Sequence, residues 1–166
     1  MLSLKRTLIN VSMIFTLLLG LISSATASGS IFEETKARAE KGSSFDQVYL
    51  GQQYLDGLDV RQDYSKAFEW YKKAADQGDS AGQFNVGYLY FSGLGVRQDY
   101  SKALEWYKKA AKQNNKLAQG SIGVLYESGL GIRQNKTIAK EWYGKSCDNG
   151  SQQGCDLYKR LNEQGY

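Results

Sequence analysis

The segment VRQDYSKAFEWYKKAA, Val60 to Ala75, returns 36 residues later as VRQDYSKALEWYKKAA, Val96 to Ala111, with Leu104 in place of Phe68 as the only change. Trp70, Trp106 and Trp142 keep the same spacing, as do Gly51, Gly87 and Gly123, and Tyr54, Tyr90 and Tyr126. Gly57, Gly93 and Gly129 follow it too, with the Arg-Gln pairs that begin at Arg61, Arg97 and Arg133. A third copy, Ile132 to Cys147, retains Arg133, Gln134, Ala139, Glu141, Trp142, Tyr143 and Lys145. This constrains the fold strongly. A unit of this length cannot bury its own apolar face, so like units must stack and share one.

Each unit reads as two helices. Ala81, Phe84, Val86, Gly87, Tyr90 and Phe91 recur at three and four residues, the helical period. The stretch Ser92 to Gln98, with two glycines, interrupts it. Asp63, Asp99 and Asn135 then stand where a side-chain oxygen would cap a second helix. That helix is rich in Ala, Leu, Glu and Lys. Gly78, Asn114 and Gly150 are placed to close it in a left-handed conformation. The repeats are assigned to 43–78, 79–114 and 115–150, with a half-unit helix over Ile31 to Lys41 before them and a capping helix over 151–163 after them. The predicted class is all-α, and the chain has no proline to oppose it. Gly51, Gly87 and Gly123 are read as close-approach positions. The tryptophans, with Tyr54, Tyr90 and Tyr126 on the partner helices, are read as filling the interior.

Residues 1–27 have the pattern of a secretory signal peptide. Lys5 and Arg6 lead, Leu8 to Ile22 is mostly apolar, and Ala25-Thr26-Ala27 is a small-x-small cleavage site. The alternative is an uncleaved membrane anchor, against which the apolar run is short of the roughly 20 residues that span a bilayer. Residues 28–166 would remain as a single domain. The net charge of +4 falls by the two charges of Lys5 and Arg6. The remaining lysines are interleaved with acids, which gives no case for nucleic acid. There is no histidine, the commonest zinc ligand and general base, and no phosphate loop. No catalytic residue, metal site or cofactor is assigned. Two cysteines in an exported chain invite a disulfide, with free thiols as the alternative.

The second unit's Ala81, Val86, Gly87, Tyr90, Gly93, Gly95, Val96, Asp99, Tyr100, Lys102, Ala103, Trp106, Tyr107, Lys109, Ala110 and Ala111 resemble the Sel-1-like repeat family, relatives of the tetratricopeptide repeats. Asp59 stands for the second loop glycine in the first unit, and Lys136 and Ile138 depart from the pattern in the third. The resemblance implies a right-handed α-solenoid of antiparallel helix pairs. It also implies kinship with a cysteine-rich envelope branch, in which a pair spaced like Cys147 and Cys155 is bridged between one unit's second helix and the next unit's first.

For function, the resemblance implies a non-catalytic protein–protein interaction module, and the leader places it in the periplasm or secreted, not inserted in a membrane once cleaved; a monomer is expected, with the oligomeric state left open. In such stacks the first helices line the concave surface. Carried onto this chain, the inward positions are Val48, Gln52, Leu55 and Asp56, then Phe84, Tyr88, Phe91 and Ser92, then Gly120, Val124, Glu127 and Ser128. The expected partner-binding residues are Tyr88, Phe84 and Phe91, flanked by Gln52, Asp56 and Glu127. Aromatics at a centre with a polar rim suit a peptide or protein partner. Three alternatives stay open, of which a structural adaptor in envelope assembly that binds more than one partner is the first. The second is a periplasmic immunity protein that blocks a toxic effector. The third is a β-lactamase-like hydrolase, as some cysteine-rich relatives are described. That chemistry needs a serine with a lysine, or zinc with histidines, and neither SFDQ nor SKAF supplies it.

Overall fold

The structure is a computed structural model that describes residues 31–166. The leader assigned to residues 1–27 therefore lies outside the described residues. Eight helices and no strand are found among the described residues. The helix through 31–40 (α1) is followed by α2 (Ser44–Asp56), α3 (Tyr64–Asp76), α4 (Ser80–Ser92), α5 (Tyr100–Ala111), α6 (Lys116–Ser128), α7 (Lys136–Asp148) and α8 (Gln152–Glu163). This is the all-α solenoid that the period predicts.

The local chemistry follows the register. Asp63, Asp99 and Asn135 each accept from the backbone N–H three residues on, capping α3, α5 and α7. Ser43, Asp79, Asn115 and Ser151 do the same for α2, α4, α6 and α8. Gly78, Asn114 and Gly150 have φ of 88°, 59° and 82°, the left-handed closure expected of them. Asp59 adopts φ 61°, close to the 70° and 68° of Gly95 and Gly131, so a side chain is carried through that turn against the usual preference.

Each helix from α2 onward packs on the next in sequence, so the stack is built from neighbours. The first helices also meet across units, α2 on α4 and α6 on α8, and no two second helices approach to that extent. The face made by α2, α4, α6 and α8 is therefore the inner one.

The centre of each layer is a tyrosine set against a glycine. Tyr71, Tyr107 and Tyr143 are buried, and their rings lie over Gly51, Gly87 and Gly123 of the preceding first helix. Leu50, Val86 and Leu89 pack with Tyr71, Ile122 and Leu125 with Tyr107, and Leu161 with Tyr143, each worth about 1.5–3 kcal/mol when fully buried. This corrects the assignment of the tryptophans to the interior. Trp70, Trp106 and Trp142 are half-buried at its margin, with Lys73, Lys109 and Lys145 3.7, 3.6 and 4.3 Å above their rings. The aromatic one residue later holds the centre, because adjacent helical positions point about 100° apart. Tyr54 is buried as expected, whereas Tyr90 and Tyr126 are half-buried.

A polar ladder ties unit to unit. The buried amides of Gln47, Gln83 and Gln119 accept from Gln77, Gln113 and Asn149 at 2.7, 3.0 and 3.0 Å. At the C-terminal end Cys147 and Cys155 are joined in a disulfide that links α7 to α8, with Cα atoms 4.5 Å apart.

Candidate functional site

The inner face is assembled from α2, α4, α6 and α8, the first three each turned by a glycine toward the second helix behind it. With Gly51, Gly87 and Gly123 buried against tyrosine, the residue after each of the first two points away from the core. That residue is Gln52 or Tyr88, both exposed, whereas Val124 in the third unit packs against the core at Tyr143 and Leu161. Tyr88 is 39% exposed and lies at the middle of the face. Its phenol is close enough to those of Tyr71 and Tyr107 to act on both.

The expected residues divide into three groups. Tyr88, Gln52 and Asp56 are exposed on the face, and Gln52 Nε2 donates to Asp56 Oδ2 at 2.7 Å. Phe84 and Phe91 are half-buried between helices. Phe84 stacks on Tyr107 with centroids 5.7 Å apart, and Phe91 meets Tyr100 edge-on at 5.4 Å. Glu127 is held from within the chain. Tyr143 Oη donates to it at 2.7 Å, and Arg160 Nη2 reaches both carboxylate oxygens at 2.6 Å.

The hydroxyl edge of the core opens onto this face. Tyr71 Oη donates to Gln52 Oε1 at 3.0 Å. Burial pushes the Tyr71 phenol well above its usual range, with the Asp56 carboxylate adding to the effect. Burial does the same to Tyr107, with Ser121 working against it. Tyr143 is raised by burial and then by its hydrogen bond to Glu127. These phenols stay protonated and act as donors or packing surface, not as bases.

Three apolar side chains on the same helices were missed. Phe45 is 77% exposed, Tyr49 47% and Leu117 54%. Phe45 and Leu117 stand six residues before the helical glycine, two turns from Tyr88's position and on the same side. The inward positions carried over from the resemblance began one turn later, so this row fell outside them. Phe45, Val48, Tyr49 and Gln52 border a cavity of about 270 Å³. A second of about 210 Å³ is bordered by Phe84, Leu117, Val124 and Leu157. Among the described residues no group of three His, Cys, Asp or Glu could hold a metal ion, and no helix is long and apolar enough to cross a membrane.

The Sel1 repeat pattern matches residues 45–79, 80–115 and 116–151. No curated protein matches the sequence. Among solved structures, a Sel1 repeat protein from Oxalobacter formigenes is 31% identical with a TM-score of 0.72, over 75% of this chain and 51% of that one. The protein c5321, a protective antigen present in uropathogenic Escherichia coli strains, is 30% identical with a TM-score of 0.72, over 81% of this chain and 33% of that one. Helicobacter pylori cysteine rich protein B shares the fold at 21% identity and a TM-score of 0.65, over 78% of this chain and 96% of that one. The chain thus spans about half the length of the first of these and a third of the second.

Proposed function

The chain belongs to the Sel1 repeat family, whose members are generally protein–protein interaction modules, and from that premise we propose that it binds a protein partner on the inner face of α2, α4, α6 and α8. One observation carries this reading. Of the eight exposed large apolar residues among those described, Phe45, Tyr49, Tyr88, Leu117 and Tyr158 lie on α2, α4, α6 and α8, and none lies on α3, α5 or α7. Exposed apolar residues gathered on one face mark interaction sites. The Gln52–Asp56 pair and the Glu127–Arg160 pair border it, giving a polar rim to an aromatic centre.

The protein works outside the reducing cytosol and is exported by its leader. The Cys147–Cys155 disulfide supports this, because such bonds persist in oxidising compartments. It acts by binding, not by catalysis. The phenols of the inner face are held protonated, and Glu127 and Asp56 are engaged by Arg160 and Gln52, which favours a binding surface over a general base.

Photocrosslinking in living cells tests the reading. A photoreactive residue at Tyr88 or Phe45 is compared with one at Glu105, which is exposed on α5. One discrete protein captured from positions 88 and 45, and not from 105, is the expected result. Its identity separates a dedicated inhibitor of a toxic effector from an envelope adaptor. Equal capture from all three positions, or from none, would sink the inner-face assignment.

A further inference from the structure

The opposite side of the stack carries a distinct site at the boundary between the second and third units. At the first boundary, Trp106 lies under two ammonium groups, Lys109 at 3.6 Å and Lys72 at 5.4 Å. Lys72 is held there by Asp76, one turn on, with Nζ 2.6 Å from Oδ2. At the second boundary Trp142 retains its own Lys145, but Lys108, the counterpart of Lys72, does not lie over the ring. The reason is in the sequence. The position of Asp76 is taken by Lys112, so a like charge stands where Lys72 has its partner.

The result is an open cleft of about 510 Å³ between the C-terminal ends of α5 and α7, lined by Lys108, Lys112, Trp142, Lys145, Asp148 and Asn149. None of the three lysines is ion-paired within the chain. The Asn149 amide is already used, donating to Gln119 and to the Lys145 carbonyl. Three ammonium groups face one carboxylate across an indole floor. The two helix C-termini carry partial negative charge and Asp148 a full one, so the three lysines supply the attraction against both.

We propose that this cleft receives an acidic segment of a partner protein, with its carboxylates between Lys108 and Lys112 and its side-chain stems on the open side of Trp142. A bare inorganic anion would meet the ammonium groups but leave the indole and Ala111 uncovered. A glutamate in a peptide covers both, because its methylenes are apolar and its head is charged. The site lies on the second helices, so it is a separate surface from the inner face and does not depend on it.

The test is an NMR titration of the purified, disulfide-bonded protein, read at the indole N–H resonances of Trp70, Trp106 and Trp142. Trp142→Phe assigns the relevant peak. The probes are hexaglutamate, hexaglutamine and inorganic phosphate at equal concentration. The Trp142 resonance is expected to move saturably with hexaglutamate, and not with hexaglutamine or phosphate. Lys112→Asp restores the residue of the first boundary and is expected to weaken the interaction about tenfold, a loss of the order that reversing a partly exposed charge produces. Lys108→Ala is expected to act in the same direction. Equal movement of Trp106, an equal response to phosphate, no response, or full affinity in Lys112→Asp would each overturn the proposal.

Discussion

Gly87 faces the ring of Tyr107 so closely that a methyl group on it would stand 2.7 Å from both Cδ1 and Cε1. The ring is 2% exposed and has nowhere to swing. Gly87→Ala gains about 1 kcal/mol of helix propensity and meets an overpacking cost of about 1–3 kcal/mol. A net loss of up to about 2 kcal/mol in urea unfolding is expected. Gly144 is the control. Its nearest neighbour would be the ring of Tyr158 at 3.3 Å, which is 41% exposed and free to shift. Gly144→Ala should stabilise by about 0.5–1 kcal/mol. Equal effects at the two positions would mean that the tyrosine contact does not dictate the glycine.

Gln53 is 3% exposed, and neither its Nε2 nor its Oε1 has a hydrogen-bond partner. The same position in the next two units holds Leu89 and Leu125, both fully buried. A buried unsatisfied amide costs about 1–3 kcal/mol. Gln53→Leu should therefore raise the urea midpoint without changing the slope, by an amount in that range. A destabilised Gln53→Leu protein would show that the amide has a role that its contacts do not reveal.

The Cys147–Cys155 bond closes a loop with a sequence separation of 8 at the last helix. In the chain-entropy treatment this is worth about 2.5 kcal/mol. Because α8 has only α7 and the edge of α6 to pack on, reduction should loosen it before anything else. Amide exchange in Gln152–Glu163 should accelerate on reduction, while that of α4 and α5 stays unchanged. Uniform acceleration through the stack would contradict this order.

The buried phenols set the alkaline limit. Tyr71, Tyr107 and Tyr143 titrate higher in the folded chain than the value of about 10 they have when unfolded. Their contribution is complete below about pH 10 and is lost as pH rises toward the folded values. Each tyrosine then contributes a slope of up to about 1.4 kcal/mol per pH unit. Tyr107→Phe should remove one such share from the alkaline limb. Asp46 does the reverse. Ser43 first, and then Arg38, hold its carboxyl below the usual aspartate range. Its contribution is present above about pH 4 and disappears as pH falls through the lower folded value. Asp46→Asn should flatten the acid limb and leave the alkaline one intact. Unfolding curves across pH check both.

Much of the fold was legible because it is written three times. The period gave helix boundaries, caps at Asp63, Asp99 and Asn135, and left-handed closures at Gly78, Asn114 and Gly150 without reference to long-range contacts. The period could not say which aromatic of each Trp-Tyr pair faces inward. Both repeat equally, and the choice depends on the glycine across the layer, a contact that spans 20 residues. The inner face was harder still. Glu127 reads as a free rim acid until Arg160, 33 residues later, is found against it. Phe45 and Leu117 differ between units and so carry no repeat signal, yet they are the more exposed part of the surface. Gln53 was in plain view, since its register places it among leucines.

A chain whose α3 and α5 present the same buried residues can skip a unit. Helix α6 docks behind Ala110 and Ala111, and α3 offers Ala74 and Ala75 at those places. If α6 settles on α3, a whole 36-residue unit is looped out, and the longer closure costs only on the order of 1–2 kcal/mol more. Escape requires undocking, so such molecules reach the native state late. The sequence contains no proline, so prolyl isomerisation is not available to explain a slow unimolecular phase. A slow refolding phase in the disulfide-bonded protein would report a misplaced repeat.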